Sequence, residues 1–193
     1  MSNKSTAKRC AWAEGKAPYY LAYHDDEWGK SINDDTEHFE LLCLEGAQAG
    51  LSWDTVLKKR ERYRKVFHQF DIARCARLTD AYLEKLLHDP GIIRNRLKVY
   101  SVRSNAIAFQ TMQAEHGSFN TFIWNLVDNS PRVNRWRNRS DVPATSELSE
   151  QLSKQLKKRG FKFVGSTIIY AYLQAAGLII DHTTDCDWHP DNQ

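Results

Sequence analysis

The sequence predicts an all-α fold. Apolar residues recur with a helical period in one segment after another, no segment shows sustained strand alternation, and cap residues and turns leave only short connections between segments. Taken in chain order, residues 35–49 place Phe39, Leu42 and Cys43 on one face, with Asp34 or Asp35 as the cap. Residues 52–68 read as one helix that starts at Ser52 and carries Trp53, Val56, Leu57, Tyr63 and Phe67 on a stripe. Residues 80–88 gather Leu83, Leu86 and Leu87 before the Asp89-Pro90-Gly91 turn. A longer helix spans about 94–116. Phe119, Phe122, Ile123, Leu126 and Val127 then follow an amphipathic helical spacing over 119–127. Further helices are expected over 146–158 and 165–177. Residues 128–145 hold two prolines and Arg132, Arg135, Arg137 and Arg139, and read as a loop, either solvated or phosphate-contacting. Residues 1–8 read as a disordered tail.

The chain has 193 residues, 41% hydrophobic and 26% charged, which suits one domain with its own core over 1–193 and excludes wholesale disorder. A net charge of +3 permits an anionic partner without requiring one. The longest apolar stretch, 168–180, is interrupted by Gln174 and Gly177 and is shorter than the roughly 20 residues of a membrane span. The first ten residues have no apolar core of the signal-peptide kind. Four irregularly spaced cysteines do not make a secreted disulfide scaffold, so a cytoplasmic protein is expected.

Cys10 and His24 lie near the start, and His182 and Cys186 near the end. The second pair can converge across one turn, whereas the first needs a folded loop. Together they offer two thiolates and two imidazoles, the donor set of tetrahedral zinc. Four protein ligands would leave no open position, so such a site would be structural and tie the chain ends together. The other reading is four unrelated residues with buried cysteines. Cys43 and Cys75 have no histidine near them in sequence and are expected to be core thiols.

Residues 154–165, KQLKKRGFKFVG, contain two glycines that bracket a short apolar turn between two helices. This is a helix-hairpin-helix pattern over 154–177. The second helix would aim unpaired N–H groups and its positive dipole end at a DNA phosphate. An ordinary corner between helices with a glycine cap fits the same residues. The flanking Lys154, Lys157, Lys158, Arg159 and Lys162 favour DNA.

In LLCLEGAQAGLSW, residues 41–53, Glu45 follows an apolar run and precedes Gly46 and Gly50. Trp12, Tyr19, Tyr20, Tyr23, Trp28 and Trp53 supply aromatic rings nearby in sequence. They read either as core beside a solvated helix end or as a pocket for a flat cation. A buried lone carboxylate is costly unless paired, and a cationic ring could stack on the aromatics for up to ~2 kcal/mol while offsetting that cost.

Five segments resemble the 3-methyladenine DNA glycosylase I family: CAW (10–12), YLAYHDDEWG (20–29), CLEGAQAGLSWDTVLKKRERYRKVFHQFD (43–71), GIIRNRLK (91–98) and LKKRGFKFVGSTIIYAYLQAAGLIIDH (156–182). The likeness covers roughly residues 9–190, apart from the basic 132–139 loop. It implies a helix-hairpin-helix DNA glycosylase fold and one structural zinc per chain on Cys10, His24, His182 and Cys186. It implies base contacts by Glu45, Trp12, Tyr20, Tyr23, Trp28 and Trp53, and DNA contacts by Gly160, Phe161, Lys162, Phe163 and Gly165. The implied activity is monofunctional base excision repair on double-stranded DNA carrying 3-methyladenine, by a monomer with no nucleotide cofactor. Asp181 and Asp185 lie near the spacing of the catalytic aspartate of other helix-hairpin-helix glycosylases. Each abuts a proposed zinc ligand, and neither is assigned a catalytic role. No lysine follows Lys162, which excludes Schiff-base lyase chemistry from that position. Two alternatives are a non-catalytic, zinc-stabilised DNA-damage-binding module and a glycosylase for another alkylated purine.

Overall fold

A computed structural model describes residues 7–193; the predicted tail falls largely outside them, in residues 1–6. Lys8, assigned to that tail, is instead fastened to the far end of the chain. Its N–H donates to the Asp187 carboxylate, and its carbonyl accepts from the Asp187 N–H.

Ten α-helices are present among the described residues. They are α1 (Pro18–Asp26), α2 (Asp35–Gln48), α3 (Trp53–Leu57), α4 (Arg60–Val66), α5 (Ile72–Ala76), α6 (Asp80–Leu86), α7 (Arg96–His116), α8 (Phe119–Asn125), α9 (Glu147–Lys158) and α10 (Ser166–Ala175). One short parallel pairing joins β1 (Arg132–Val133) to β2 (Ile179–Ile180), so the protein is mostly rather than wholly helical. No helix is long and apolar enough to cross a membrane among the described residues.

Helix α2 lies at the centre and packs against α3, α7, α8 and α10. Asp34 caps it by accepting from the N–H groups of Thr36 and Glu37. Asp35 turns away and caps α8, accepting from the N–H groups of Phe119 and Asn120. Phe39 packs edge-on against Phe70 and Phe109, and Phe109 stacks on Phe119 at 4.3 Å. These fully buried rings belong to the larger of two apolar clusters.

The smaller cluster gathers Cys10, Tyr23, Trp28, Leu57 and Cys186 between the chain ends. Residues 52–68, expected as one helix, form two: α3 places Val56 in the larger cluster and Leu57 in the smaller, with Trp53 packed against both, and α4 places Tyr63 and Val66 in the larger. The two are separated at Lys58–Lys59, where the Lys59 backbone stands at φ −103, ψ −3. Helices α1 and α5 were not foreseen. Helix α1 buries the consecutive Tyr23, His24 and Asp25 and has no amphipathic stripe, so Pro18 in its first turn is its main local signal.

The turn between α9 and α10 is built as the spacing predicts. Gly160 adopts φ +93, and Gly165 caps α10. The Phe161 side chain is buried against Phe109 and Phe119, and Val164 is buried beside it. Phe161 therefore anchors the turn, with the Lys162 side chain exposed and Phe163 and Gly165 half-buried. Asn105 on α7, buried, holds the tip from below: its side-chain amide donates to the Lys162 carbonyl and accepts from the Lys162 N–H. Ser153 donates to the Val164 carbonyl at 2.6 Å. Gly46 on α2 leaves room for this turn, because a Cβ there would stand 3.1 Å from the Cβ of Phe163.

Candidate functional site

The residues predicted to form a pocket line one cavity of about 340 Å³. Its walls include Trp12, Tyr20, Tyr23, Trp28 and Trp53, with Glu45 at the bottom and Gln48, Arg139 and Asp181 around it. Helix α1 supplies Tyr20 and Tyr23 one turn apart, and α2 supplies Glu45. Ser52 caps α3 and sets Trp53 at its first position. The rings brace one another: Tyr23 lies 5.3 Å from Trp53, Trp12 5.8 Å from Tyr20, and Trp12 5.0 Å from Trp28. Tyr19, by contrast, is exposed and donates to Asp54 outside the cavity.

Glu45 is 3% exposed, and its Oε2 is buried with no hydrogen-bond partner among the described residues. Burial raises its pKa from 4.5 to about 8, which favours the neutral carboxyl near pH 7. The Tyr23 phenol is pushed well above its ordinary pKa by burial, then by Glu45, and remains a hydroxyl that can donate. Trp53 Nε1 is a second buried polar atom without a partner. A cavity with flat aromatic walls, an acid at its base and unmatched polar atoms suits a planar guest bearing positive charge and amino groups.

The four predicted ligands also converge. Donor atoms of Cys10, His24, His182 and Cys186 all lie within 4.8 Å of one another, and all four residues are buried. Cys10 Sγ is 3.5 Å from His182 Nδ1, while Cys186 Sγ is 3.5 Å from His182 Nδ1 and 3.6 Å from His24 Nε2. The outer ring nitrogens are held as well. His24 Nδ1 faces Asp25 at 2.9 Å, Asp25 pairs with Arg9, and His182 Nε2 faces the Trp28 carbonyl. This group can hold a metal ion and leaves each histidine oriented by a second partner. Cys43 and Cys75 lie elsewhere in the core, as expected, and burial pushes their thiols up, that of Cys75 to about 12.

Gln48, Arg139 and Asp181 were not among the expected pocket residues. Gln48 has a signal, one helical turn after Glu45. Arg139 and Asp181 come from separate segments, joined by the β1–β2 pairing and by hydrogen bonds from Asn134 and Trp136 to Asp181.

The fold and site thus define a class: a helical protein with an aromatic, acid-based cavity beside a cysteine–histidine closure of its two ends. The methyladenine glycosylase family model matches residues 12–189, and the chain belongs to that family. It is 47% identical over 186 residues to DNA-3-methyladenine glycosylase 1 of Escherichia coli (strain K12), covering 96% of this chain and 99% of that one. A crystal structure of a 3-methyladenine DNA glycosylase I matches with a TM-score of 0.92 and 49% identity, covering 95% of this chain and all of the other. The Staphylococcus aureus enzyme, solved to explain 3-methyladenine recognition, matches with a TM-score of 0.91 and 37% identity over 94% and 96% of the two chains.

Burial of Glu45 generates a pH prediction. Its folded pKa lies above its unfolded one, so between about 4.5 and 8 the folded state holds more protons than the unfolded state. Stability falls as pH rises through that window, by a few kcal/mol at most. Urea unfolding at several pH values should show a smaller loss for Glu45→Gln than for the native protein. Parallel pH profiles would contradict a buried, proton-holding carboxyl.

Proposed function

We propose that this protein is a monofunctional DNA glycosylase that hydrolyses the N-glycosidic bond of 3-methyladenine in double-stranded DNA, as the first step of base excision repair. The observation that carries the reading is the buried, partnerless Glu45 oxygen at the base of an aromatic cavity sized for a purine. Family membership and the 3-methyladenine named for its relatives support the substrate.

Methylation at N3 leaves the nucleotide base cationic and weakens its bond to the sugar. The enzyme unstacks and extrudes the nucleotide, at a cost of a few kcal/mol. As the cation enters, Glu45 releases its proton to solvent, and the carboxylate then faces a positive ring instead of an empty cavity. Its oxygens accept from the exocyclic amine. The rings of Trp12, Tyr20, Tyr23, Trp28 and Trp53 surround the base and exclude water. The C1′–N9 bond breaks with its electron pair going to N9, so the base leaves neutral. Water adds to the oxocarbenium-like C1′ and loses a proton to solvent. Neutral adenine has no charge to offset ionisation of Glu45, and is discriminated against on that account. Glu45 is a recognition and electrostatic residue; no water-activating base is assigned.

The α9–turn–α10 element, with Gly160, Phe161, Lys162, Phe163 and Gly165, serves as a helix-hairpin-helix that holds the DNA backbone. The N–H groups of the turn beyond Lys162, whose own N–H is held by Asn105, and the Lys162 ammonium meet phosphates, while Phe161 keeps the turn in place. Cys10, His24, His182 and Cys186 would hold one zinc ion. Zinc bonds of about 2.3 Å to sulfur and about 2.0–2.1 Å to nitrogen at tetrahedral angles set sulfur–nitrogen separations near 3.5–3.6 Å. The separations observed here are 3.5 and 3.6 Å. With four protein ligands the ion would supply structural closure and no reacting water. One cytoplasmic domain acting as a monomer on duplex DNA completes the reading.

Incubation with methylated duplex DNA should release 3-methyladenine. Glu45→Gln should retain the fold and DNA affinity but lose excision on the order of 10²-fold, because its amide cannot ionise. DNA binding without base release would indicate a damage-binding module, and preferential release of another methylated purine would move the substrate. Elemental analysis of protein purified without chelator should find one zinc per chain. Sub-stoichiometric metal in that preparation would count against the four-ligand site.

A further inference from the structure

The basic loop after β1 is fastened in place over the cavity. Asp181, at the cavity wall, is buried and accepts from four donors: Asn134 Nδ2 at 2.7 Å and Trp136 Nε1 at 2.8 Å from the loop, and Tyr170 Oη at 2.6 Å and Gln174 Nε2 at 2.7 Å from α10. The Trp136 carbonyl accepts from the Thr184 N–H, and the Asn134 carbonyl faces His189. Arg135 is paired with Asp191. Asn138 and Asp141 then close a reciprocal cap around the single turn Arg139–Asp141. Each of these contacts spends a polar group on holding the loop in one shape.

Arg139 sits on that turn and is different. It lines the same cavity as Glu45, yet is exposed, and its guanidinium has no ion pair or hydrogen bond among the described residues. Arg132, Arg135 and Arg159 have protein acceptors, whereas Arg137, exposed like Arg139, does not line the cavity. Burial raises the pKa of the Tyr20 phenol at the wall, and the Arg139 charge partly offsets that rise, so the guanidinium is electrostatically close to the pocket. A cation beside a site for a cationic base would be unfavourable if the base were the whole ligand. A nucleotide, however, brings a phosphate on each side of its sugar, and those phosphates must remain at the mouth when the base is inside.

We propose that Arg139 grips a phosphodiester of the lesion strand at the cavity mouth and so seats the extruded nucleotide, with the Asp181 network serving to position the loop that carries it. This rests on the base-excision reading and adds to it a phosphate contact separate from the α9–α10 turn. A guanidinium held on a fixed turn can bind phosphate with two parallel N–H donors at little further ordering cost.

The test uses Arg139→Ala and Arg139→Lys in the full chain, with duplex DNA treated with dimethyl sulfate and, separately, free 3-methyladenine, which has no phosphate. For Arg139→Ala, the enzyme concentration giving half-maximal single-turnover release should rise on the order of tenfold. The salt dependence of that concentration should lose about 0.9 from its log–log slope, one phosphate contact. Affinity for free 3-methyladenine should not change. Arg139→Lys should restore the slope and only part of the affinity, because a point charge replaces the two-pronged contact. An unchanged half-maximal concentration and slope in Arg139→Ala, with the native enzyme active, would overturn the assignment alone. A changed free-base affinity would also overturn it, since Arg139 would then belong to the base pocket. Failure of the native enzyme to release any 3-methyladenine would overturn the base-excision reading along with it.

Discussion

A carboxyl group sealed under aromatic rings is the constraint around which the rest of the molecule is arranged. An ionised carboxylate is strongly disfavoured in such surroundings, and the protein meets this by leaving Glu45 protonated near pH 7 instead of pairing it. The pocket is thereby poised rather than satisfied: one oxygen has no partner, and the ionised state waits for a positive guest. An internal arginine would remove both the cost and the selectivity. Positive charge separates an N3-methylated adenine nucleotide from an undamaged one, and shape alone would discriminate a single methyl group by only about 1–3 kcal/mol.

Holding rings at fixed angles around such a group needs a rigid frame. Two features provide it. Helix α1 carries Tyr20 and Tyr23 on the cavity wall and His24 in the cysteine–histidine group, so the wall and the closure of the chain ends are one element. Cys10 is two residues from Trp12, which packs edge-on against Tyr20 and ties the same wall to the closure a second time. A zinc ion there would act on the pocket by fixing two of its walls, and its loss would loosen the pocket before it unfolded the large core, which is a separate cluster. On the other side, Gly46 meets Phe163 at close range, so the helix that presents Glu45 also abuts the turn proposed to hold DNA. Base recognition and backbone contact are therefore mechanically adjacent.

Local patterning made much of this legible. Helices α7, α8 and α9 carry their buried residues at helical spacing after a cap residue, which reports them directly, whereas the second half of α2 is buried all round from Leu42 to Ala47. The two chain-end pairs and Glu45 were legible because their chemistry is uncommon at those spacings, and because the segments around them resemble a known family. What was not legible depends on tertiary structure. The apolar stripe over 52–68 runs on through Lys58–Lys59 and gives no sign of the break there. Helix α1 buries three consecutive residues against different neighbours, which leaves no period to read. Lys8 is ordered by Asp187, 179 positions away, and the loop that carries Arg139 is held to Asp181 by Asn134 and Trp136, 47 and 45 positions away; no window of the sequence contains these pairs.

We propose that the pocket reads charge, through a proton exchanged at Glu45. Calorimetric titration with 3,9-dimethyladeninium, a fixed cation with no sugar to lose, measures this when repeated near pH 7 in two buffers of different ionisation enthalpy. Binding should release close to one proton per cation bound, and Glu45→Gln should release none, while neutral 9-methyladenine should bind far more weakly. Binding of the cation with no proton release, or equal binding of the two ligands, would contradict the account.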